Sequence, residues 1–153
     1  MQVDIKSTSQ TDIPTAYGLT RELMEYHNAL DIFTMTQERF SELVETGSLM
    51  SFIAYVDGEP VGVMNAFYKL TTFTGRKIFY IEDLYAREKC RGCGIGGKFL
   101  DKAKEIAVKN DCEQIELKCA SWNKKSAGFY NRHGMSHDTE WEVYVMNRAE
   151  FQS

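Results

Sequence analysis

Residues 76–98 read RKIFYIEDLYAREKCRGCGIGGK, a β-rich run followed by a glycine-rich turn. Aromatic and β-branched side chains dominate the run at 76–86, which predicts a strand. Beyond the turn, apolar residues recur at helical spacing, which predicts a helix over Gly97–Asn110. This stretch therefore predicts a strand, a tight glycine-rich turn and a helix in direct succession.

The rest of the chain predicts the elements that surround this unit. Asp57-Gly58-Glu59 separates two β-rich runs, SLMSFIAYV and PVGVMNAFYKL, and is typical of a hairpin turn. The resulting order, β-α-α-β-β-β-α-β-α-β, predicts an α/β (α+β) domain with a mixed, mainly antiparallel central sheet. The other predicted elements are a strand over 2–7, helices over 12–28 and from Thr36 to Gly47, a strand over Gln114–Cys119, a helix over Asn123–Arg132 and a final strand over 141–147.

Bulk composition narrows the class of protein. The 153 residues, 43% of them hydrophobic and 26% charged, suffice for one domain with a real core, so we expect a single domain over 1–153. The net charge of −4 and the lack of a basic stripe argue against nucleic acid as a partner. No apolar run approaches the length of a membrane span, and the first residues, MQVDIKSTSQTD, lack a signal-peptide core. We therefore expect a cytoplasmic protein without a membrane partner.

The four cysteines and three histidines do not form a metal-binding pattern. Cys90 and Cys93 are spaced as C-x-x-C, but no second pair with zinc-ligand spacing follows them. The histidines, at positions 27, 133 and 137, are scattered. We therefore expect no metal site, and reduced cysteines with structural roles.

The glycine-rich turn predicts a binding site for a phosphate or pyrophosphate. Its glycines leave backbone N–H groups uncovered at the start of a helix, where these groups lack partners and the helix dipole favours an anion. Arg91 can add a charge-assisted hydrogen bond. A flexible loop that binds nothing stays an alternative. The candidate binding residues are Arg91, Gly92, Cys93, Gly94, Ile95, Gly96 and Gly97.

Gly92, Gly94 and Gly97 also match the G-x-G-x-x-G fingerprint of dinucleotide-binding enzymes. That interpretation would make the protein an NAD-binding oxidoreductase. Two features of the sequence argue against it. Residues 87–91 separate the strand from the first glycine, and the next strand ends in Cys119-Ala120-Ser121, with no acidic residue for a ribose.

The pattern Arg-x-x-Gly-x-Gly, formed by Arg91, Gly94 and Gly96 between a strand and a helix, resembles the acetyl-CoA pyrophosphate motif of the GNAT superfamily of N-acetyltransferases. The branch of spermidine/spermine (diamine) acetyltransferases, which share the Ile-Glu-Asp-Leu type of strand, is the most similar. The resemblance implies transfer of an acetyl group from acetyl-CoA to an amine, and a homodimer. It covers roughly residues 49–147 and includes Tyr80-Ile81-Glu82-Asp83-Leu84-Tyr85, Trp122-Asn123, Gly128-Phe129-Tyr130 and Gly134-Met135.

The resemblance also implies which residues beyond the turn contact acetyl-CoA. The end of the central strand would splay from its neighbour and free backbone groups for the pantetheine arm, with an N–H near Leu84 at the thioester oxygen. Asn123 would contact the same arm and would also cap the helix that follows, with Ser126 at its third position. The implied residues are Leu84, Tyr85, Ala86, Asn123 and Ser126.

Two adjacent carboxylates, Glu82 and Asp83, stand in the middle of the predicted strand. Both faces of this strand are largely apolar, which is typical of a central strand covered on two sides. Carboxylates are costly there unless each meets a polar cavity or a cation. Strict alternation places Ile78, Tyr80, Glu82 and Leu84 on one face and Phe79, Ile81, Asp83 and Tyr85 on the other.

Glu82 and Tyr130 are the candidate catalytic residues. An alkyl ammonium has a pKa of about 10.4, so forming the neutral amine at pH 7 costs roughly 4.6 kcal/mol and favours a general base. In the family, the acid at the Glu82 position is implicated in substrate binding and deprotonation, and a tyrosine at the Tyr130 position lies near the CoA sulfur. Because a phenol is less acidic than a thiol, we expect Tyr130 to act as a hydrogen-bond donor to the thiolate. A structural network for Glu82 and core packing for Tyr130 stay alternatives.

The acceptor amine is less narrowly predicted. Tyr26-His27 aligns with a Tyr-Glu pair that helps to bind the cationic chain in the polyamine branch, and here histidine replaces the glutamate. A diamine, a thialysine-like amino acid or another small primary amine is the leading prediction. An aminoglycoside acceptor, a protein amine and a non-catalytic acyl-CoA sensor are the alternatives. The candidate acceptor-binding residues are Tyr26, His27, Glu82, Asp83 and Trp141, the last as an aromatic face for a cation.

Overall fold

The structure is a computed structural model that describes residues 1–152. It divides into two compact units, Met1–Lys118 and a second that begins at Cys119. The first unit is built on a five-stranded sheet whose strands lie side by side in chain order. Neighbouring strands are antiparallel, except for the parallel pair of the fourth and fifth. The strands are β1 (Val3–Ser7), β2 (Met50–Val56), β3 (Glu59–Leu70), β4 (Lys77–Ala86) and β5 (Gln114–Leu117).

Three α-helices belong to the first unit and two to the described part of the second, which confirms the mixed α/β fold class predicted from the sequence. The helix that follows Thr36 begins where the sequence predicts, because the Thr36 hydroxyl accepts a hydrogen bond from the Arg39 N–H at 3.1 Å. Among residues 1–152, no helix is both long and apolar enough to cross a membrane. The helices are α1 (Ile13–Tyr26), α2 (Gln37–Glu45), α3 (Ile95–Lys109), α4 (Lys124–Arg132) and α5 (Arg148–Phe151).

The connection between β2 and β3 is the two-residue hairpin turn that the sequence predicts. Asp57 and Gly58 both have positive φ angles, 50° and 83°. A turn of this kind matches the right-handed twist of two antiparallel strands. Val56 and Glu59, on either side of the turn, accordingly pair with each other.

Helices cover both faces of the sheet around β3. On one face, Val63 packs in a cluster with residues of α1, α2 and β2. The preceding residue, Gly62, points to the opposite face, where Phe99 of α3 lies against it. Helices α1 and α3 also both contact β4, the strand for which the sequence predicts cover on two sides. The buried residues that pack with Val63 are Ile13, Ala16, Leu19, Phe40 and Ile53.

A β-bulge at Glu82 changes the faces of β4. Asn65 of β3 pairs with Asp83, and the next residue of β3, Ala66, pairs with Ile81, so Glu82 is the extra residue. Ile81 and Asp83 therefore lie on opposite faces. The predicted strict alternation, which placed them on one face, is wrong beyond Ile81. The bulge leaves Glu82 exposed, whereas Ile81 before it is buried.

The predicted final strand over 141–147 is wrong. These residues form no hydrogen-bonded strand, and the short helix α5 follows them. A strand needs a partner strand for its backbone N–H and C=O groups. The second unit contains no other strand within its described part, 119–152, and the apolar side chains of the segment are exposed, Tyr144 to 92%.

Gly62 permits the close approach of β3, β4 and α3, and its replacement tests this packing. A β-carbon at position 62 would lie 2.6 Å from the backbone oxygen of Tyr85 and 3.3 Å from Phe99 Cε2. Because backbone of a paired strand cannot move cheaply, we expect Gly62→Ala to lower the free energy of unfolding by about 1–3 kcal/mol. Urea denaturation measures this change.

Gly18 provides the matched control for that substitution. It lies within α1, and a β-carbon there would meet no atom within 4 Å. Gly18→Ala should therefore raise the free energy of unfolding by about 0.5–1 kcal/mol. Equal effects of the two substitutions would contradict the close approach at Gly62.

Candidate active site

The glycine-rich turn lies directly at the start of α3. Gly92 and Gly94 have φ angles of 84° and 80°, in the left-handed region that favours glycine. Gly94 is the N-cap of α3, and its carbonyl accepts the first intrahelical hydrogen bond, from the Lys98 N–H at 3.0 Å. The turn therefore reverses the chain without side chains and leads straight into the helix.

The first N–H groups of α3 are oriented as an anion site requires. Those of Ile95, Gly96 and Gly97 precede the first intrahelical donor and have no intrahelical acceptor. The positive end of the helix dipole adds to their attraction for an anion. A β-carbon at Gly92 or Gly94 would meet no atom within 4 Å, so the space in front of the turn is open. The turn thus combines unpaired N–H groups with open space at a helix start, which are the features that an anion site needs.

Arg91 is held beside this turn by two contacts. Its Nε donates to the carbonyl oxygen of Ala86, at the end of β4, at 3.3 Å. The carbon at the centre of its guanidinium lies 4.6 Å from the centroid of the Tyr26 ring, a cation–π contact. The structure thus brings together Arg91 and Ala86, which are candidate cofactor-binding residues, and Tyr26, which is a candidate acceptor-binding residue.

Strand β4 extends beyond its parallel neighbour. The ladder with β5 runs from Ile78–Gln114 to Ile81–Leu117, whereas β4 continues to Ala86. On its other side, β4 remains paired with β3 as far as Ala86. Leu84, Tyr85 and Ala86, all half-buried, therefore form a strand end that β5 does not cover.

The bulge at Glu82 coincides with the point at which the β4–β5 ladder ends. Glu82 is exposed, and the neighbouring Asp83 is mostly buried. β-bulges often direct a side chain at active sites. Two carboxylates consequently stand next to each other at the position where the sheet opens.

Asp83 belongs to a buried polar network that the sequence did not reveal. The Asn65 Nδ2 donates to Asp83 Oδ2 at 2.9 Å and to the Thr20 hydroxyl at 2.8 Å, and Thr20 donates to the Ala16 carbonyl at 2.8 Å. Asn65 is 1% exposed, and within residues 1–152 its Oδ1 has no hydrogen-bond partner. A single polar residue in the apolar run VGVMNAF was the available signal for Asn65.

Burial raises the pKa of Asp83 to about 6. The hydrogen bond from Asn65 opposes this shift, and the negative charge of Glu82 adds to it. Asp83 is therefore negatively charged at neutral pH but gains a proton in mildly acidic solution.

Tyr26 and His27 lie at the C-terminal end of α1. Tyr26 is the last residue of the helix and is 50% exposed, and His27 is its C-cap. The two rings are 5.5 Å apart. Besides His27, the Tyr26 ring contacts Arg91, a residue that the sequence predicts to bind the cofactor.

The second unit carries the remaining candidate residues. Asn123 caps α4, as predicted, because its Oδ1 accepts a hydrogen bond from the Ser126 N–H at 3.1 Å. Tyr130 lies in α4 next to Phe129. Burial raises the pKa of Tyr130 to about 12, and the charge of Cys119 adds to this. Trp141 lies in the segment without secondary structure and is 65% exposed.

The cysteines have no disulfide partners within residues 1–152. Cys90 is buried, and Cys93, Cys112 and Cys119 are half-buried. In the same part of the chain, no group of three or more His, Cys, Asp or Glu side chains is arranged to hold a metal ion.

Comparison with known sequences agrees with this geometry. The sequence model of the acetyltransferase (GNAT) family matches residues 16–135. A thialysine N-epsilon-acetyltransferase of Bos taurus is 32% identical over 97% of this chain and 92% of its own length. Its counterpart from Sus scrofa is 33% identical over 95% of this chain and 91% of its own length.

Solved structures with the same fold include other acetyltransferases. An integron cassette protein of Vibrio cholerae superimposes with a TM-score of 0.82 at 20% identity, covering 99% of this chain and 96% of its own. An aminoglycoside acetyltransferase from an uncultured soil metagenomic sample, in complex with sisomicin, has a TM-score of 0.82 at 15% identity. The two chains are covered to 95% and 97%. At these identities, the likeness shows the fold alone.

The strand that opens from its neighbour and the glycine-rich turn at a helix start lie where the family resemblance leads us to expect them. The chain belongs to the GNAT acetyltransferase family and is an acetyl-CoA-dependent N-acetyltransferase. The resemblance recognised in the sequence is therefore confirmed.

The raised pKa of Asp83 predicts a pH-dependent stability. Above pH 6 its charge destabilises the folded state, and this cost disappears as the pH falls toward 4, where the unfolded chain also binds the proton. A rise of this size corresponds to at most about 3 kcal/mol. We expect Asp83→Asn to be more stable than the wild type at pH 8, and the difference to shrink toward pH 4.

Urea denaturation at several pH values measures this difference. Asp101→Asn, a change of the same kind at an exposed position of α3, is the control and should show no comparable trend. A stability difference for Asp83→Asn that stays constant from pH 4 to pH 8 would contradict the prediction.

Proposed function

We propose that the enzyme acetylates a primary amine of a small cationic substrate, of the polyamine, diamine or thialysine type. The reaction is a direct attack of the amine on the thioester of acetyl-CoA while both substrates are bound. The observation that carries the proposal is the pair of carboxylates, Glu82 and Asp83, at the bulge where β4 leaves β5. The names of the relatives, which include thialysine and spermidine/spermine acetyltransferases, support this substrate class.

In this proposal, acetyl-CoA binds along the end of β4 and at the glycine-rich turn. Its pyrophosphate receives hydrogen bonds from the first N–H groups of α3 and from Arg91. The pantetheine arm pairs with backbone groups of the uncovered strand end, and an N–H near Leu84 polarises the thioester carbonyl. Asn123 and Ser126 contribute to the same arm. The other residues proposed at the cofactor are Gly92, Cys93, Gly94, Ile95, Gly96, Gly97, Tyr85 and Ala86.

Glu82 is the proposed general base. The acceptor arrives as an ammonium ion, of which only about one in 2,500 is neutral at pH 7. Removing the proton costs roughly 4.6 kcal/mol, which a carboxylate next to the amine offsets in part and a water relay can extend. The bulge supports this role because it keeps Glu82 exposed at the end of the ladder.

Asp83 is the proposed anionic anchor for the cation. With a pKa of about 6, its carboxylate is charged at the pH at which polyamines and lysine analogues are cations. The amide of Asn65 fixes one carboxylate oxygen. Tyr26, His27 and Trp141 are proposed as further acceptor contacts, with the aromatic rings as faces for a cation.

Tyr130 is the proposed hydrogen-bond donor to the departing CoA thiolate. With a phenol pKa of about 12 and a thiol pKa of about 8.5, complete proton transfer would be uphill by about 5 kcal/mol. A hydrogen bond that strengthens as the thiolate forms stabilises the leaving group without this transfer. The CoA sulfur then takes its proton from solvent.

A panel of amines tests the acceptor and Glu82 together. CoA release is measured with spermidine, spermine, putrescine, lysine, thialysine and tobramycin for the wild type and for Glu82→Gln. We expect turnover with a linear amine and a decrease of kcat/KM for that amine by about 10²- to 10⁴-fold in the variant. The affinity for CoA should be unchanged, because Glu82 acts on the amine.

The control is Glu42→Gln, the same change at an exposed residue of α2 that pairs with Arg39. It should keep the activity of the wild type. Turnover with tobramycin alone would contradict the proposed substrate class and indicate an aminoglycoside acceptor. Full activity of Glu82→Gln would contradict the role of Glu82 as general base. Binding of CoA without acetylation of any amine would favour an acyl-CoA sensor.

Tyr130→Phe tests the hydrogen bond to the leaving group. Loss of one donor to a developing anion lowers kcat by about 10- to 10³-fold, and the KM for acetyl-CoA should change little. Because Tyr130 has a pKa of about 12, the wild-type rate should not fall between pH 7 and pH 10 through ionisation of this residue. Tyr144→Phe, at an exposed tyrosine, is the control. An unchanged kcat for Tyr130→Phe would assign Tyr130 to packing.

The homodimer and the cytoplasmic location stay predictions. The first rests on the family resemblance, and sedimentation velocity of the purified protein tests it directly. The absence of a nucleic-acid or membrane partner likewise stays an expectation from the composition.

A further inference from the structure

Helix α1 is joined to the connection between β4 and α3 by two neighbouring contacts. Glu22 accepts hydrogen bonds from the Arg87 Nε at 3.1 and 3.2 Å, and Tyr26 carries the Arg91 guanidinium on its ring at 4.6 Å. Glu22 and Tyr26 are four residues apart on one face of the helix. Arg87 and Arg91 are also four residues apart, so the two contacts form parallel ties.

The Glu22–Arg87 tie fixes the connection to both α1 and β3. The guanidinium of Arg87 also donates to the Pro60 carbonyl at 3.2 Å, and its backbone N–H donates to the Val61 carbonyl at 2.9 Å. The start of the connection is therefore anchored at three points. Arg91, four residues later, begins from a fixed backbone.

The contacts of Arg91 leave its outer donors available. The central carbon of the guanidinium lies over the Tyr26 ring, and the Nε–H donates to the Ala86 carbonyl. A cation–π contact of this kind consumes no N–H group. Within residues 1–152, no hydrogen bond is made by the two terminal nitrogens, so four of the five N–H donors remain for an anion at the turn.

We propose that Tyr26 is a positioning residue for Arg91. Its ring restricts the guanidinium to an orientation in which the terminal nitrogens bind the pyrophosphate, so that Tyr26 contributes to the affinity for acetyl-CoA as well as to the acceptor site. This role rests on the proposed function, in which the turn binds acetyl-CoA. It links the end of α1, which carries the acceptor candidates Tyr26 and His27, to the cofactor turn.

Binding of CoA to Tyr26 variants tests this role. Titration calorimetry should give a dissociation constant about two- to fivefold higher for Tyr26→Ala, the range expected for an exposed cation–π contact. Tyr26→Phe keeps the aromatic face and should bind CoA as the wild type does. In steady state, Tyr26→Ala should raise the KM for acetyl-CoA by the same factor, whereas Tyr26→Phe should leave this KM unchanged.

A double-mutant cycle separates positioning from a general structural effect. If Tyr26 acts through Arg91, then Tyr26→Ala has no further effect on CoA binding in an Arg91→Ala background. Independent, additive losses would overturn the proposal. So would tighter binding of CoA by Tyr26→Ala, which would mean that the ring holds Arg91 away from the ligand.

The wild type and one control make failure of the two proposals distinguishable. Tyr144→Ala, the same truncation at an exposed tyrosine, should leave the affinity for CoA unchanged. A wild type that does not bind CoA would overturn the proposed function itself. A wild type that binds CoA, together with a Tyr26→Ala variant whose only change is a raised KM for the amine, would overturn the positioning role and leave the proposed function standing.

Discussion

Strand β4 pairs over unequal lengths with its two neighbours, and this difference decides where the first unit offers a site for the proposed chemistry. On one side, β3 pairs with β4 as far as Ala86, and on the other side β5 stops at Leu117, opposite Ile81. Beyond that point, a central strand has backbone groups that no neighbouring β5 residue uses. The bulge at Glu82 lies at this same boundary, so the opening of the sheet and the exposure of a carboxylate coincide. The turn and α3 follow the open strand directly.

Burial and charge act together on the two adjacent carboxylates. Glu82 is exposed by the bulge, whereas Asp83 is buried against the Asn65 amide, which itself bonds Thr20. An ionised carboxyl in such a position costs stability in the free enzyme, as its raised pKa indicates. A bound cation would offset that cost. In the proposed function, the site therefore carries a local destabilisation that binding of the cationic substrate relieves, which is common at functional sites.

The two substrates of the proposed reaction meet on elements that contact each other. The ring of the last residue of α1 makes a cation–π contact with the arginine that begins the glycine-rich turn, and the same arginine donates a hydrogen bond to the carbonyl at the end of β4. The ion pair between Glu22 and Arg87 is a second contact that joins the helix to the connection. In the proposed function, binding of acetyl-CoA therefore involves the end of the helix that carries the acceptor candidates.

The sequence by itself determined the features that depend on local conformation. These are the hairpin at Asp57-Gly58, the cap at Asn123 and the glycine-rich turn before α3. The spacing of the glycines of this turn from Arg91 also indicated the family. Only the tertiary structure decided the bulge at Glu82 and the network of Asn65 and Thr20. It also decided the cation–π contact between Tyr26 and Arg91 and the absence of a strand at 141–147. Each of these features depends on residues that are far apart in the chain. The strand-like pattern at 141–147, for example, could form a strand only if a partner strand were available. The spacing of residues along the chain does not indicate which distant residues will be in contact. The sequence therefore did not predict the features that depend on long-range contacts.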